Sequence, residues 1–217
     1  MKKNITVILG LGLAAVMFSA CIGLKTGIDV KKNGGGTIEM EYRVSNELLS
    51  MGSQAGNEDF PPLPVGEQDF ERTFDRIPGI KMTSYSEKED GDDSLFLIKA
   101  KFDNLKALVN FLDSQGRQAA VEIKDGKTFF SISFDVDDKD IDPDFVQILP
   151  VVFEDYYMEF TIKLPNKCEV SYLGPDGEKL PGLPYGETAV TSDTVDFSSS
   201  MAELFSSGGA SSMVISW

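Results

Sequence analysis

Apolar and polar residues alternate singly over much of this chain. In GTIEMEYRVS, residues 36–45, Ile38, Met40, Tyr42 and Val44 fall on one side and Glu39, Glu41 and Arg43 on the other. A period of two marks a strand with one wet face. GLKTGIDVKK before it reads as the strand's partner, with the turn at KNGGG. That glycine run lacks the Gly-Lys-Ser/Thr ending and the following helix of a phosphate-binding loop. A Gly-, Pro- and Ser-rich stretch around 50–66 reads as a long loop. The spacing then changes to that of a helix in GEQDFERTFDRIPG, with Phe70, Phe74 and Ile77 on one face and Pro78-Gly79 as the stop.

The same alternation predicts a hairpin from Ile80 to Phe102, turning at Glu89 to Asp93. A second helix follows in DNLKALVNFLDSQG. Asp103 is its expected N-cap, Leu105, Leu108, Val109 and Leu112 its apolar stripe, and Gly116 its end. QAAVEIKDGKTFFSISFDV predicts another hairpin around Asp125-Gly126. Strand patterns recur from Tyr157, in KCEVSYLGPDGEKL, in ETAVTSDTVDF and in the closing SMVISW, with a short helix at SSSMAELFSSG. The expected class is α+β: a mainly antiparallel sheet of hairpins with two or three amphipathic helices.

One stretch fits neither period. ITVILGLGLAAVMFSACIG, residues 5–23, is apolar, follows Lys2 and Lys3, and ends in small residues before Cys21. It is shorter than the roughly 20 apolar residues that span a bilayer. A basic start, a short apolar run and small residues at a cut site describe a secretory signal peptide. Phe18-Ser19-Ala20-Cys21 resembles the bacterial lipobox, with Phe18 where Leu is usual. The resemblance implies diacylglycerol on the Cys21 thiol, cleavage before Cys21 and acylation, such as palmitate, of the new amino terminus. It divides the chain into a leader, 1–20, and one domain, 21–217, with an apolar tail around 206–217. Ile22 is not the Asp that signals inner-membrane retention. The expected place is therefore the extracytoplasmic side of the cell envelope, at the outer membrane where there are two.

Charge narrows the partners. The chain has 35 acidic and 20 basic residues, a formal −15, and losing Lys2 and Lys3 with the leader takes it to −17. Such a surface repels nucleic acid and anionic head groups. Lys25, Lys31 and Lys32, close in sequence to the anchor, are the local exceptions. The chain has no histidine, which removes His-based nucleophilic catalysis and the commonest metal ligand. With Cys21 lipidated, Cys168 has no partner for a disulfide. It aligns with Val170 and Tyr172 on one strand face and reads as a buried, inert thiol.

Three constellations remain. DVDDKDIDPD places aspartates at 135, 137, 138, 140, 142 and 144, the oxygen ligands that calcium takes. The EF-hand template fails: counting from Asp138, the turn glycine is Pro143 and the twelfth position is Leu149. The run reads as a solvated acidic loop, with calcium as the alternative. Glu87, Glu89, Asp90, Asp92 and Asp93 read as a hairpin tip. Val146, Ile148, Leu149, Val152, Phe153 and Tyr156 make an apolar patch, read either as core or as the lining of an apolar ligand site.

In layout, the mature chain resembles the LppM-like domain of bacterial envelope lipoproteins. GIDVKKNGGGTIEMEYRVS near the anchor, FTIKLPNKCEVSYLGPDG and DTVDFSSSMAELFSS carry the resemblance. Asn166 stands where Gly is common and Phe197 where Trp is usual. The family implies a non-enzymatic α+β envelope domain, with lipid or surface binding proposed. No functional residue carries over. The expected protein is lipid-anchored and non-catalytic, without cofactor or metal, and binds a lipid, another apolar ligand or a surface partner. The alternative is a carboxylate-dependent hydrolase of envelope glycans, since two spaced acids suffice for that reaction.

Overall fold

A computed structural model describes residues 22–46, 49–50, 66–113, 118–134, 156–206 and 211–217. Its centre is the alternating pair read from the sequence. β1 (Ile22–Val30) and β2 (Gly36–Ser45) pair antiparallel from Ile22↔Val44 to Val30↔Gly36. β3 (Ile80–Asp90) and β4 (Asp93–Phe102) form the next hairpin, and β4 pairs along the whole of β2. β5 (Ala119–Lys124) and β6 (Lys127–Ser133) turn at Asp125-Gly126, where Asp125 has φ +52°.

β7 (Tyr157–Lys163) lies parallel to β1, Leu24 opposite Met158. β8 (Glu169–Leu173) and β9 (Lys179–Leu180) follow. ETAVTSDTVDF is two strands rather than one: β10 (Glu187–Val190) and β11 (Thr194–Ser200), with Thr191 N donating to Thr194 O between them. β12 (Ser212–Ser216) comes after them. Seven strands form one sheet in the order β10-β11-β7-β1-β2-β4-β3, and five form another in the order β5-β6-β12-β8-β9.

The helices are small: α1 (Glu67–Asp75), α2 (Leu105–Leu112) and α3 (Met201–Ser206). The fold is therefore mostly β, which corrects the α+β expectation. The helical segments were placed where the pattern put them, but none exceeds nine residues, against strands of nine to eleven residues in β1 to β4. Helices below about 12 residues are marginal alone, so these persist by docking an apolar face onto the sheets. In α1 the buried pair is Phe70 and Phe74, and Phe74 stacks on Phe111 of α2 at 5.2 Å. The cap of α2 is Asn104 rather than Asp103: its side chain accepts from Ala107 N at 3.0 Å. Its buried face is Ala107, Leu108 and Phe111. Leu105, Val109 and Leu112 pack at the margin.

One apolar cluster draws on both sheets. Ile38, Ile98, Ile162 and Val195 come from the larger, Phe130, Met213 and Ile215 from the smaller, and all are at most 1% exposed. Phe134, Phe160 and Phe197 stack in series beside Tyr185. β12, the last strand, fills the middle of the smaller sheet, bonded to both β6 and β8.

Candidate functional site

Cys21 and the patch residues Val146, Ile148, Leu149, Val152 and Phe153 lie outside the described residues, as do the aspartates from 135 to 144. Tyr156 is described. It immediately precedes β7, and its backbone carbonyl accepts from Met201 N at 2.9 Å. Its ring lies beside Gly23 of β1: a Cβ on that glycine would stand 3.7 Å from Tyr156 Cδ1 and 3.6 Å from Arg43 Cβ. Tyr156 thus sits at the end of the larger sheet where β1 begins.

A polar network finishes that end. Tyr156 Oη donates to Asp93 Oδ1 at 3.3 Å. Arg43 donates through Nη1 to Asp93 Oδ2 at 3.1 Å and through Nη2 to Asp90 Oδ2 at 2.7 Å. Burial alone would lower the Arg43 pKa, but the two carboxylates outweigh it and hold the guanidinium above its ordinary range. The acidic β3–β4 tip therefore belongs to the end of the sheet where β1 begins. Asp90 and Asp93 are engaged by Arg43, a clamp that spacing along the sequence did not show because its members are about 50 residues apart.

The lysines near Cys21 in sequence separate in space. Lys25 stays at this end of the sheet and pairs with Glu159 at 3.3 Å. Lys31 and Lys32 are carried to the far end of β1, about 26 Å from Ile22 at the usual rise per residue of a strand. Closeness in sequence to the start of β1 thus does not become closeness in space: a straight strand moves its end away as fast as a chain can.

Two buried groups stand apart. Tyr42, on the inner face of β2 between Phe70 and Phe96, is 4% exposed and its hydroxyl has no hydrogen-bond partner among the described residues. Burial raises its pKa. Cys168 precedes β8, is buried and has no disulfide partner among the described residues. Burial pushes the thiol's pKa up, partly offset by a backbone hydrogen bond, and the nearby Asp193 charge adds to the rise. No group of three or more metal-ligating side chains occurs among the described residues. No helix among them is long and apolar enough to cross a membrane.

No family model matches the chain, and no curated protein matches it. Among solved structures it is similar to the folded domain of Mycobacterium tuberculosis LppM, determined by NMR. The TM-score is 0.46 and the identity 12%, over 92% of this chain and 91% of that one. At this distance the likeness assigns neither family nor role.

Proposed function

We propose that this is a lipid-anchored protein of the bacterial envelope, acylated at Cys21 and facing away from the cytoplasm. It holds no catalytic apparatus and binds a lipid, another apolar ligand or a surface partner. The observation that carries the reading is the join between the lipobox-like segment and the fold. Residue 22 already belongs to β1, and β1 is the middle strand of the seven-stranded sheet. An anchor at Cys21 would therefore pull directly on the best-supported strand, with no spacer to let the domain drift. Stable attachment takes two acyl chains or one chain with a second signal, each buried methylene adding about 0.8 kcal/mol. Diacylglycerol with an acylated amino terminus meets that requirement.

The apolar patch is the proposed ligand contact, with Tyr156 as its described member. Tyr156 stands at the end of the larger sheet where β1 begins, beside the proposed anchor, where an apolar ligand leaving the bilayer would arrive first. Expression in a bacterial host with a palmitate analogue tests the anchor. Label should enter the wild-type chain and be absent from Cys21→Ser, which should leave the membrane fraction. A Cys21→Ser chain that stays labelled and membrane-bound would overturn the reading. Mass spectrometry of material co-purified with the full chain tests the ligand, with bound lipid as the expected result.

A further inference from the structure

The outer face of the larger sheet carries charges in rows, and one row gathers three lysines. On the two rows nearer β1's midpoint the cations are paired: Lys25 with Glu159 at 3.3 Å, and Lys99 with Glu39 at 2.8 Å. At the far end, strand register lines up Lys81, Lys101, Thr37, Asp29, Lys163 and Thr194 across β3, β4, β2, β1, β7 and β11. Lys81, Lys101 and Lys163 are exposed, and none forms an ion pair among the described residues. Lys31 and Lys32, also exposed and unpaired there, project from the β1–β2 turn at the same end. Asp29 is the one carboxylate in the row; Asp103 and Asp193 lie on adjoining loops.

This arrangement runs against the chain's composition. Acids outnumber bases 35 to 20, yet this row gathers three lysines and one carboxylate, and Lys81 and Lys101 sit directly opposite each other on neighbouring strands. Like charges in that position destabilise a sheet. We propose that the row is a docking surface for a linear, phosphate-bearing polymer of the extracytoplasmic space. The inference extends the proposed envelope role and does not depend on the anchor.

Geometry selects that partner. From Lys81 to Lys163 is four strand spacings, about 19 Å, which several charges of an extended polyanion span. The row holds lysine and no arginine. Ammonium groups act as point charges on phosphate, whereas planar bidentate recognition of a single group uses arginine. The row therefore reads charge density along a strand. A planar bilayer would also meet Glu39, Glu41 and Glu159 on the rows nearer the anchor; a thin polymer meets the row alone. Single-stranded nucleic acid takes much of its affinity from aromatic stacking, and no aromatic side chain belongs to this row.

The test titrates the full chain, in nonionic detergent, with end-labelled linear polyphosphate. Three lysine contacts predict that affinity falls roughly 20-fold between 50 and 200 mM salt. Lys81→Ala/Lys101→Ala/Lys163→Ala should bind at least tenfold more weakly at low salt and lose most of that salt dependence. The matching arginine triple should keep its binding. Lys88→Ala/Lys124→Ala/Lys179→Ala removes the same charge elsewhere and should change binding less than twofold. Thermal melts confirm that each variant is folded. Equal losses in both alanine triples would reduce the effect to net charge and overturn the proposal. So would competition by inorganic phosphate or by phosphatidylglycerol mixed micelles as strong as by polyphosphate at equal phosphate, or tighter binding of single-stranded DNA. Failure here leaves palmitate labelling at Cys21 untouched, so the two readings fall separately.

Discussion

Gly36→Ala inserts one methyl group at the start of β2, where the chain has no room for it. A Cβ there would overlap the Asp29 carbonyl oxygen across the hairpin and stand 2.5 Å from Phe102 Cζ and 2.9 Å from Cε1. The first neighbour is backbone held in the β1–β2 ladder; the second is a core ring, 2% exposed. Neither yields cheaply. Overpacking of this kind costs about 1–3 kcal/mol, and a clash shared between backbone and a buried ring belongs at the top of that range. Loss of glycine's freedom in the unfolded chain returns only about 0.4–1 kcal/mol. The net expectation is about 2 kcal/mol of destabilisation, or roughly 4–8 °C in Tm for a chain of this size.

The control is Gly182→Ala. That glycine has no atom within 4 Å of the added Cβ and no left-handed φ. It should be neutral or stabilised by up to about 1 kcal/mol. Urea unfolding of the two variants beside the wild type, with equal m-values, measures both. Gly36→Ala combined with Phe102→Leu should show a favourable coupling, because the smaller side chain gives way to the methyl group. A Gly36→Ala protein within about 0.5 kcal/mol of wild type would refute the packing of this hairpin against Phe102.

Other outcomes follow from buried polar groups. Tyr42→Phe removes a hydroxyl that has no partner among the described residues, and should be neutral or stabilising by about 1 kcal/mol in urea unfolding; a clear loss would mean that the hydroxyl is bonded. Tyr42 and Tyr85 both have raised folded-state pKa values, Tyr85 pushed up to about 12 by burial and then by its bond to Glu87. Unfolded tyrosine loses its proton near pH 10, so their contribution is intact below pH 10 and falls as pH rises. The Tyr85 share is lost between pH 10 and 12, and Tyr42→Phe should flatten the alkaline melt. Asp113, 3% exposed, accepts from Gln118 N and, at 3.0 Å, from Ala119 N; Asp113→Ala should cost about 3 kcal/mol and Asp113→Asn less, by the same assay. Cys168 should resist a disulfide reagent at pH 7 in the folded chain and react at once in urea; rapid native labelling would contradict its burial.

Much of the local structure was legible because it depends on period alone. Ile38, Met40, Tyr42 and Val44 share a buried face because alternate residues of any strand do. Phe70 and Phe74 point the same way because a helix turns about every 3.6 residues. The hairpin at Asp125-Gly126 needed only residues that tolerate positive φ. The mostly β class is not legible in the pattern, because period says where a helix lies and little about how few turns it has. The ETAVTSDTVDF stretch reads as one strand because the turn at 191–193 carries no glycine or proline.

Order and register are decided elsewhere. β1 meets β7 more than 130 residues later in the chain, and β12 enters its sheet between β6 and β8, about 80 and 40 residues after them. Those choices maximise burial of whole faces, and no local window contains them. The same register gathers Lys81, Lys101 and Lys163 from three strands into one row, and sends Lys31 and Lys32 away from the sheet end where Cys21 joins. It also closes Arg43 on Asp90 and Asp93 beside Tyr156. By itself the sequence determined which residues share a face and where the chain turns, because these follow from backbone geometry within a few residues. Which faces meet, and so which charges become neighbours, was decided only when distant strands paired.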